Sequence, residues 1–355
     1  MSAHFWLSRK AVPMTLADVA QLTDLQARDL LVRMRWGEDG QVCPACGAVE
    51  QHYVVRGRYQ WRCKACSHTF SVTSGTPFAD HKIGYRKLVM AIFAFLINQK
   101  GLAALQLRRI IGGQYRTSFT LLHKIREAVM LNASRAQLSG TVEIDGGHFS
   151  GKIRKGRKKT KVADKDKTQI PKKYSQHRSK LPADFLHHPN RRIVMVLREI
   201  DPAPGLGAVR TITAICKMEN TTNAEALVQQ WVKKQSLIRT DEWTAYGNLK
   251  LMGYTHETVN HSVEFSSDTG INQNQAESFF SRMRRSVIGV YHRITPKYMI
   301  DYACEMGWRE DHRRLSTADQ FASLIKQVFA AGVSPDWWQY GKGNMRRAEI
   351  LFNPA

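Results

Sequence analysis

The chain has 355 residues and a formal net charge of +23 at pH 7, from 53 Lys and Arg against 30 Asp and Glu. With 43% hydrophobic residues it can bury a core, which excludes a chain that is disordered throughout. The longest apolar stretch, residues 88–97, falls well short of the roughly 20 residues that a membrane helix needs, so we expect no membrane partner. A charge this positive predicts a polyanionic partner, and nucleic acid is the usual one.

The N-terminus and the cysteines indicate the compartment. The first 14 residues contain neither the apolar core nor the small-residue cleavage site of a secretory signal. The six Cys are too few for a disulfide scaffold, and four of them are clustered between residues 43 and 66. We therefore expect a cytoplasmic protein of two or three domains that binds a metal in a reducing compartment.

Two CxxC pairs follow a helix that is predicted over residues 14–36, with Thr15 or Asp18 as its N-cap. The cysteines are Cys43, Cys46, Cys63 and Cys66, and 16 residues separate the two pairs. This spacing is typical of a tetrahedral Zn²⁺ site, and the intervening residues favour a small sheet that lacks a core of its own. We expect a zinc ribbon with structural zinc, because four thiolates leave no open coordination position. A redox site is the alternative, but it needs one CxxC rather than two.

The residues after the ribbon, 80–137, are predicted to be mostly helical. Two apolar helical stretches are followed by Gly112 and Gly113 and then by a third helix. This order predicts a helix-turn-helix, whose recognition helix begins near Arg116 and places that side chain in a DNA major groove. A three-helix packing unit without DNA contacts is the alternative interpretation.

From Thr141 onward, β-rich runs alternate with helical ones. Strands are predicted at 141–145, 191–200, 209–217, 236–241 and 256–260, and helices at 223–234, 274–286 and 297–314. Such an order predicts an α/β layered domain.

Three carboxylates lie where these elements begin or end. Asp145 and Asp241 are predicted to end two strands, and Glu277 lies early in a helix. Together they offer oxygen ligands for two Mg²⁺ ions that keep open positions for a substrate phosphate. Arg284 lies two helical turns after Glu277 on the same face, where it is expected to reach that phosphate. Singly, each acid has a simpler interpretation as a turn, a cap or a solvated residue.

A strongly basic segment follows the first carboxylate. Residues 151–180 hold 13 Lys and Arg against two Asp, with almost no large apolar residues. We expect a loop that orders on DNA, where Lys155, Arg157, Lys158 and Lys159 contact phosphates. A solvated linker that only aids solubility is the alternative.

The ordered set of motifs resembles the bacterial insertion-sequence transposases of the DDE type, and among them the ISXO-type family. The matching segments are RWGEDGQVCPACG, the second cysteine pair with FSVTSGTPF, LHKIREA, VEIDGGHFSGK, RTDEWTAYGNL, HETVNHS and NQNQAESFFSRMRRSVIGVYHRI. They run in family order from about residue 30 to 294. Single segments are weak signals, whereas the ordered set is specific.

The resemblance implies a zinc ribbon joined to an RNase H-like catalytic domain, with Mg²⁺ or Mn²⁺ as the catalytic metal. It also implies cleavage of double-stranded DNA at the transposon ends and strand transfer into target DNA. The family's acidic triad maps onto Asp145, Asp241 and Glu277, and its basic helix residue maps onto Arg284. Many relatives have an acidic residue directly after the first Asp, where this chain has Gly146.

Some positions of the motifs stay open. Some members of the family use Asn as the third catalytic residue, so Asn274 is a rival to Glu277, although a carboxylate binds Mg²⁺ better than an amide does. His261 and His292 lie in family-like motifs, where they would contact phosphate, orient a water or serve a structural role.

These interpretations divide the chain into modules and predict its assembly. The modules are an N-terminal helical segment (1–38), the zinc ribbon (39–78), the helix-turn-helix (79–138), the RNase H-like domain (139–315) with a basic insertion (151–190), and a C-terminal helical tail (316–355). We expect a nucleoid-associated protein that forms a homodimer or higher oligomer on DNA.

Two other functions fit parts of the pattern. A zinc-ribbon and helix-turn-helix regulator would carry an inert α/β domain, but the intact acidic triad argues against it. A metal-dependent nuclease would cut without joining, and only a joining assay separates it from a transposase. A mechanism with Tyr291 as the nucleophile lacks an activating cluster nearby.

Overall fold

The computed structural model describes residues 5–49, 52–55, 57–149, 191–203, 206–241, 246–259 and 274–353. Its first two α-helices are α1 (Leu16–Gln21) and α2 (Asp24–Trp36). Thr15 caps α1 in a reciprocal capping box with Asp18, and Thr23 caps α2 in the same way with Gln26. The prediction of one continuous helix over 14–36 is therefore wrong, because the second capping box starts a new helix.

The two CxxC pairs flank a three-stranded antiparallel sheet. Its strands are β1 (His52–Val55), β2 (Gln60–Cys63) and β3 (Thr69–Phe70), in that order. Trp61 and Phe70 are buried against Trp36 of α2, with ring centres 5.6 and 6.4 Å from that indole. The expectation that the ribbon lacks a core needs correction, because its apolar side chains join the core of the neighbouring helices.

Three helices follow the ribbon, as predicted. They are α3 (Tyr85–Ile97), α4 (Ala104–Ile111) and α5 (Tyr115–Leu131). Gly112 and Gly113 separate α4 from α5 with φ angles of 73° and 82°, a backbone region in which a side chain is strained. The helices and the turn are present, and their use as a DNA-binding helix-turn-helix stays a prediction.

A five-stranded mixed sheet forms the centre of the second half. The strands are β4 (Thr141–Phe149), β5 (Arg192–Ile200), β6 (Ala208–Cys216), β7 (Leu237–Asp241) and β8 (Thr255–Val259). Their order is β6-β5-β4-β7-β8, with antiparallel pairs up to β4 and parallel pairs after it. The α/β, RNase H-like class predicted from the sequence is confirmed.

Strand β4 is longer than predicted. It does not end at Asp145, because Gly146 and Gly147 continue the ladder opposite Met195 and Val194 of β5. The prediction that Asp145 ends its strand is therefore wrong: the two glycines take extended backbone rather than a turn. Asp145 therefore lies in the middle of the strand, and the residues before and after it are both paired with β5.

Helices cover both faces of this sheet. They are α6 (Thr221–Trp231) on one face, and α7 (Asn274–Ser286) and α8 (Met299–Asp311) on the other. Along β5, Met195 and Leu197 are buried on the first face with apolar residues of α6, and Val194 and Val196 are buried on the second with apolar residues of α7 and α8. Alternate residues of one strand therefore face different helices.

The last helix, α9 (Thr317–Ala330), packs into the core of the N-terminal helices rather than onto the sheet. Helix α8 belongs to both regions, because Trp308 lies in the N-terminal core while Ala303 and Met306 lie in the sheet core. Its Glu305 also accepts a 2.6 Å hydrogen bond from the buried Arg126 of α5. Across the described part of the chain, every helix is too short or too polar to cross a membrane.

Candidate metal centres and DNA contacts

Two similar turns bring the four cysteines together. In the first turn the Gly47 N–H donates to the carbonyl of Cys43, and in the second the Ser67 N–H donates to the carbonyl of Cys63. Gly47 and Ser67 both have positive φ, at 74° and 60°. Each turn therefore closes on its own backbone hydrogen bonds, and the spacing of the cysteines alone predicted it.

The donor set of this cluster suits zinc. The four Sγ atoms all lie within 4.8 Å of one another, and Cys43 and Cys63 are buried while Cys46 and Cys66 are exposed. Four thiolates at this separation match a tetrahedral Zn²⁺ ion with Zn–S distances of about 2.3 Å. The protein accordingly has a structural zinc site in its ribbon, where every position is filled by the protein.

The second cluster is acidic and lies beside the parallel part of the sheet. The ladder between β4 and β7 ends with the pair Glu143 and Arg239, and Asp145 and Asp241 each lie two residues further along these neighbouring strands. Asp241 is the last residue of β7, and its position at a strand end is as predicted. Strand pairing thus places on neighbouring strands two carboxylates that are far apart in sequence.

The charges of Asp241 and of two glutamates act on the pKa of Asp145. Burial, followed by the charges of Asp241, Glu219 and Glu277, raises the pKa of Asp145 to about 7. The backbone N–H of Gly146 opposes this by donating to the Asp145 carboxylate at 2.7 Å. Three of these four acids were singled out from the sequence, whereas Glu219 was not.

Glu277 depends on a buried glutamate for its position. Glu143 is 2% exposed, and its Oε2 accepts the backbone N–H groups of Gln275 and Ala276, each at 2.9 Å. It therefore caps the first turn of α7, where N–H groups have no partner within the helix. Arg198 secures the same turn by donating to the Gln275 carbonyl at 2.6 Å. Glu277 is in this turn and is exposed.

A glycine lets α7 lie close to β4. A Cβ atom at Gly147 would lie 2.5 Å from Cδ1 of Phe280, so a larger residue would push the helix away. Arg284 is exposed further along α7, and its guanidinium carbon lies 5.7 Å from the centre of the Phe280 ring. Glu277 and Arg284 are thus fixed on the same helix that rests on the strand of Asp145.

The sequence did not single out Glu143 or Glu219. Glu143 was part of the predicted strand, and the only available signal was a charged residue at a position that alternates with apolar ones. Glu219 lies just after β6, in a segment without a recognisable motif. Their importance comes from contacts between elements that are distant in sequence.

The predicted DNA contacts are only partly within the described residues. Arg116 is exposed at the start of α5, with its guanidinium carbon 5.3 Å from the centre of the Tyr340 ring. The predicted phosphate contacts Lys155, Arg157, Lys158 and Lys159 lie outside the described residues, as do His261 and the side chain of Asn274.

Two further residues of the last sequence motif are described. His292 is exposed and has a φ of 57°. The Tyr291 hydroxyl donates to Glu305 and accepts from Arg126, and burial raises the pKa of Tyr291. A raised pKa is the opposite of what an activated tyrosine nucleophile needs.

Two family models match the chain. An ISXO2-like transposase domain matches residues 137–311, which include the whole mixed sheet, and a transposase zinc-ribbon domain matches residues 22–69, which include all four cysteine ligands. A comparison with curated proteins found no match. The two matched domains follow each other in the order that the sequence motifs predicted.

Proposed function

The chain belongs to the ISXO2-like transposases, and from that premise we propose that it cleaves double-stranded DNA at the ends of its element and joins them to target DNA. The observation that supports this proposal is electrostatic: besides burial, the charges of Asp241 on the neighbouring strand and of Glu277 on α7 raise the pKa of Asp145. We further propose that the protein works as a homodimer or higher oligomer on DNA.

The carboxylates fit a divalent metal. Carboxylate oxygens are the ligands that Mg²⁺ and Mn²⁺ prefer. Burial and, after it, the repulsion of neighbouring carboxylates raise the pKa of Asp145, and a cation would offset that repulsion. We assign Asp145, Asp241 and Glu277 as the residues that would hold Mg²⁺ or Mn²⁺. When bound, such ions activate a hydroxyl nucleophile and stabilise the leaving oxygen of an in-line phosphoryl displacement.

The other residues of the site act on the DNA. Arg284 supplies a permanent positive charge on the helix of Glu277 and would bind the phosphate that is attacked. Glu143 and Arg198 hold the first turn of α7 still, so that Glu277 keeps its distance from Asp145 during the reaction. Gly147 allows the close packing on which that distance depends.

The DNA would be held by parts of the protein outside the acidic cluster. We propose that Lys155, Arg157, Lys158 and Lys159 bind phosphates of any sequence, whereas Arg116 at the start of α5 reads the bases of the element ends. The charge of +23 supports a partner of this kind.

The test is a cleavage and joining assay with Mg²⁺ and DNA that carries the protein's own element ends. Asp145→Asn, Asp241→Asn and Glu277→Gln should each abolish nicked and joined products, with zinc content and DNA binding unchanged. Glu225→Gln is the matched control, since Glu225 lies on α6, where it accepts a hydrogen bond from the exposed Asn248.

The alternatives give different products. Nicking without joining would indicate the nuclease, and unchanged activity in Asp145→Asn or Asp241→Asn would contradict the metal mechanism and favour the DNA-binding regulator. The third ligand is decided by comparing Glu277→Gln with Asn274→Ala. We expect Glu277→Gln to abolish cleavage and joining and Asn274→Ala to have a milder effect. Full activity in Glu277→Gln with loss of activity in Asn274→Ala would assign the role to Asn274.

A further inference from the structure

Glu219 contacts the strand of Asp145 from the face opposite α7. It precedes Asn220, the N-cap of α6, and its carboxylate fills the space beside Gly146. A Cβ atom at Gly146 would lie 2.5 Å from Oε1 of Glu219 and equally close to its carboxyl carbon. The carboxylate therefore lies where only glycine leaves room for it, one residue from Asp145.

Among the described residues, the surroundings of Glu219 offer its charge a hydroxyl donor but no Lys or Arg ion pair. The hydroxyl of Tyr246, which is 1% exposed, donates to Oε1 at 2.8 Å. Within the described residues, none of the Lys or Arg ion pairs includes Glu219. Burial and the charge of Asp241 raise the pKa of Glu219. A half-buried carboxylate beside other acids is costly unless a cation joins them.

A purely structural role explains only part of this arrangement. Glu219 would then serve as the acceptor that fixes Tyr246 in the core. That role needs one carboxylate oxygen and a neutral amide would fill it, without an anion next to Asp145 and Asp241. The space that Gly146 leaves for the whole carboxyl group also goes unexplained.

We propose that Glu219 is a fourth carboxylate ligand of the divalent-metal site. It would approach the metal held by Asp145 and Asp241 from the α6 face of the sheet, while Glu277 approaches from the α7 face. This assignment rests on the proposed function, because it presupposes that the acidic cluster binds Mg²⁺ or Mn²⁺.

The experiment is a titration of the full-length, zinc-loaded protein with Mn²⁺ alone, followed by the electron paramagnetic resonance signal of free Mn²⁺. Glu219→Gln should weaken Mn²⁺ binding by about 10- to 100-fold or remove one bound ion. Tyr246→Phe removes the hydroxyl but keeps the carboxylate, so its Mn²⁺ affinity should stay within about threefold of the wild type. Glu225→Gln, which changes a carboxylate of α6, the helix that begins just after Glu219, should match the wild type.

Gly146→Ala provides a second, independent variant. Alanine fits an extended strand, but its Cβ occupies the space of the Glu219 carboxylate and should displace it. Weakened Mn²⁺ binding is therefore expected with Glu219 itself unchanged, which also covers the case in which Glu219→Gln does not fold.

Three results would overturn parts of this assignment in distinguishable ways. If the wild type binds no Mn²⁺, the proposed function fails together with the role of Glu219. If the wild type binds Mn²⁺ and Glu219→Gln binds it equally well, only the role of Glu219 fails. If Tyr246→Phe loses as much affinity as Glu219→Gln, Glu219 acts through Tyr246 rather than on the metal.

Discussion

The cysteine cluster and the acidic cluster are assembled in different ways. The four cysteines lie between residues 43 and 66, in two turns that close on their own hydrogen bonds. The carboxylates lie between residues 145 and 277, and strand pairing and helix packing place them where their charges act on Asp145. Local geometry thus makes the first cluster, whereas the complete fold makes the second. We infer that metal binding at the first stabilises the fold and that the second exists at the expense of stability.

The largest expected effect is the loss of a cysteine. Cys63→Ser should release zinc and lower the stability of the ribbon by on the order of 5 kcal/mol or more, because metal binding at such sites supplies folding free energy. The shared core should extend the damage to α2, with Trp36 losing its contacts. Zinc analysis and thermal unfolding measure this.

The control for this change is Cys304→Ser, which alters a thiol in α8 far in sequence from the ribbon. It should keep one zinc per chain. A native protein without zinc, or a Cys63→Ser protein of unchanged stability, would contradict the structural role.

Replacing a carboxylate of the acidic cluster should raise stability, whereas replacing a cysteine should lower it. At pH 8 without divalent metal, Asp145→Asn should raise the free energy of unfolding by about 1–3 kcal/mol, because it removes a charge that burial and Asp241 disfavour. Denaturant unfolding in a metal chelator measures it. A loss of stability of similar size would show that the cluster supports the fold, and the contrast between the two clusters would disappear.

The support of the acidic cluster should behave differently from its ligands. Glu143→Gln should lower both stability, by about 1–3 kcal/mol, and the joining rate, because a neutral amide holds the start of α7 less firmly. Mn²⁺ binding separates positioning from folding: it should weaken at a temperature where the variant is fully folded.

Glu257→Gln is the matched control, since it breaks only the partly exposed pair with Arg239 on neighbouring strands. It should leave both joining and Mn²⁺ affinity near wild type. Equal effects from the two variants would mean that the position of α7 does not depend on Glu143.

The smallest expected effect is that of the proposed catalytic metal on stability. Millimolar Mg²⁺ should raise the free energy of unfolding of the wild type by only about 1 kcal/mol, by mass action. The same addition should do nothing in Asp145→Asn. A shift as large as that of zinc would place both clusters in the same class.

The sequence predicted what depends on neighbours along the chain. The cysteine turns, the start of α5 at Tyr115 and the full extent of α7 were all predictable from local patterns. The same local view ended the strand at Asp145 and missed that Gly146 and Gly147 continue it, because it could not include the partner strand β5.

Glu143 and Glu219 could not be found in this way for a related reason. Alternation along a strand predicts that Glu143 points to one face of the sheet. It does not predict that the start of α7 packs on that face and donates its N–H groups to Glu143. Likewise, the neighbours of Glu219 are set by the order of the strands and by the empty space at Gly146.

Helix α8 has a further consequence through its place in both cores. Trp308 and Glu305 fasten it to the N-terminal helices, and Ala303 and Met306 fasten it to the sheet that carries the acids. On the proposed function, α8 holds the module that reads an element end at a fixed distance from the module that cuts, because this helix packs in both cores. The number of base pairs between the sequence read and the bond broken is then measured by the protein, so it should stay constant when the intervening DNA sequence is changed.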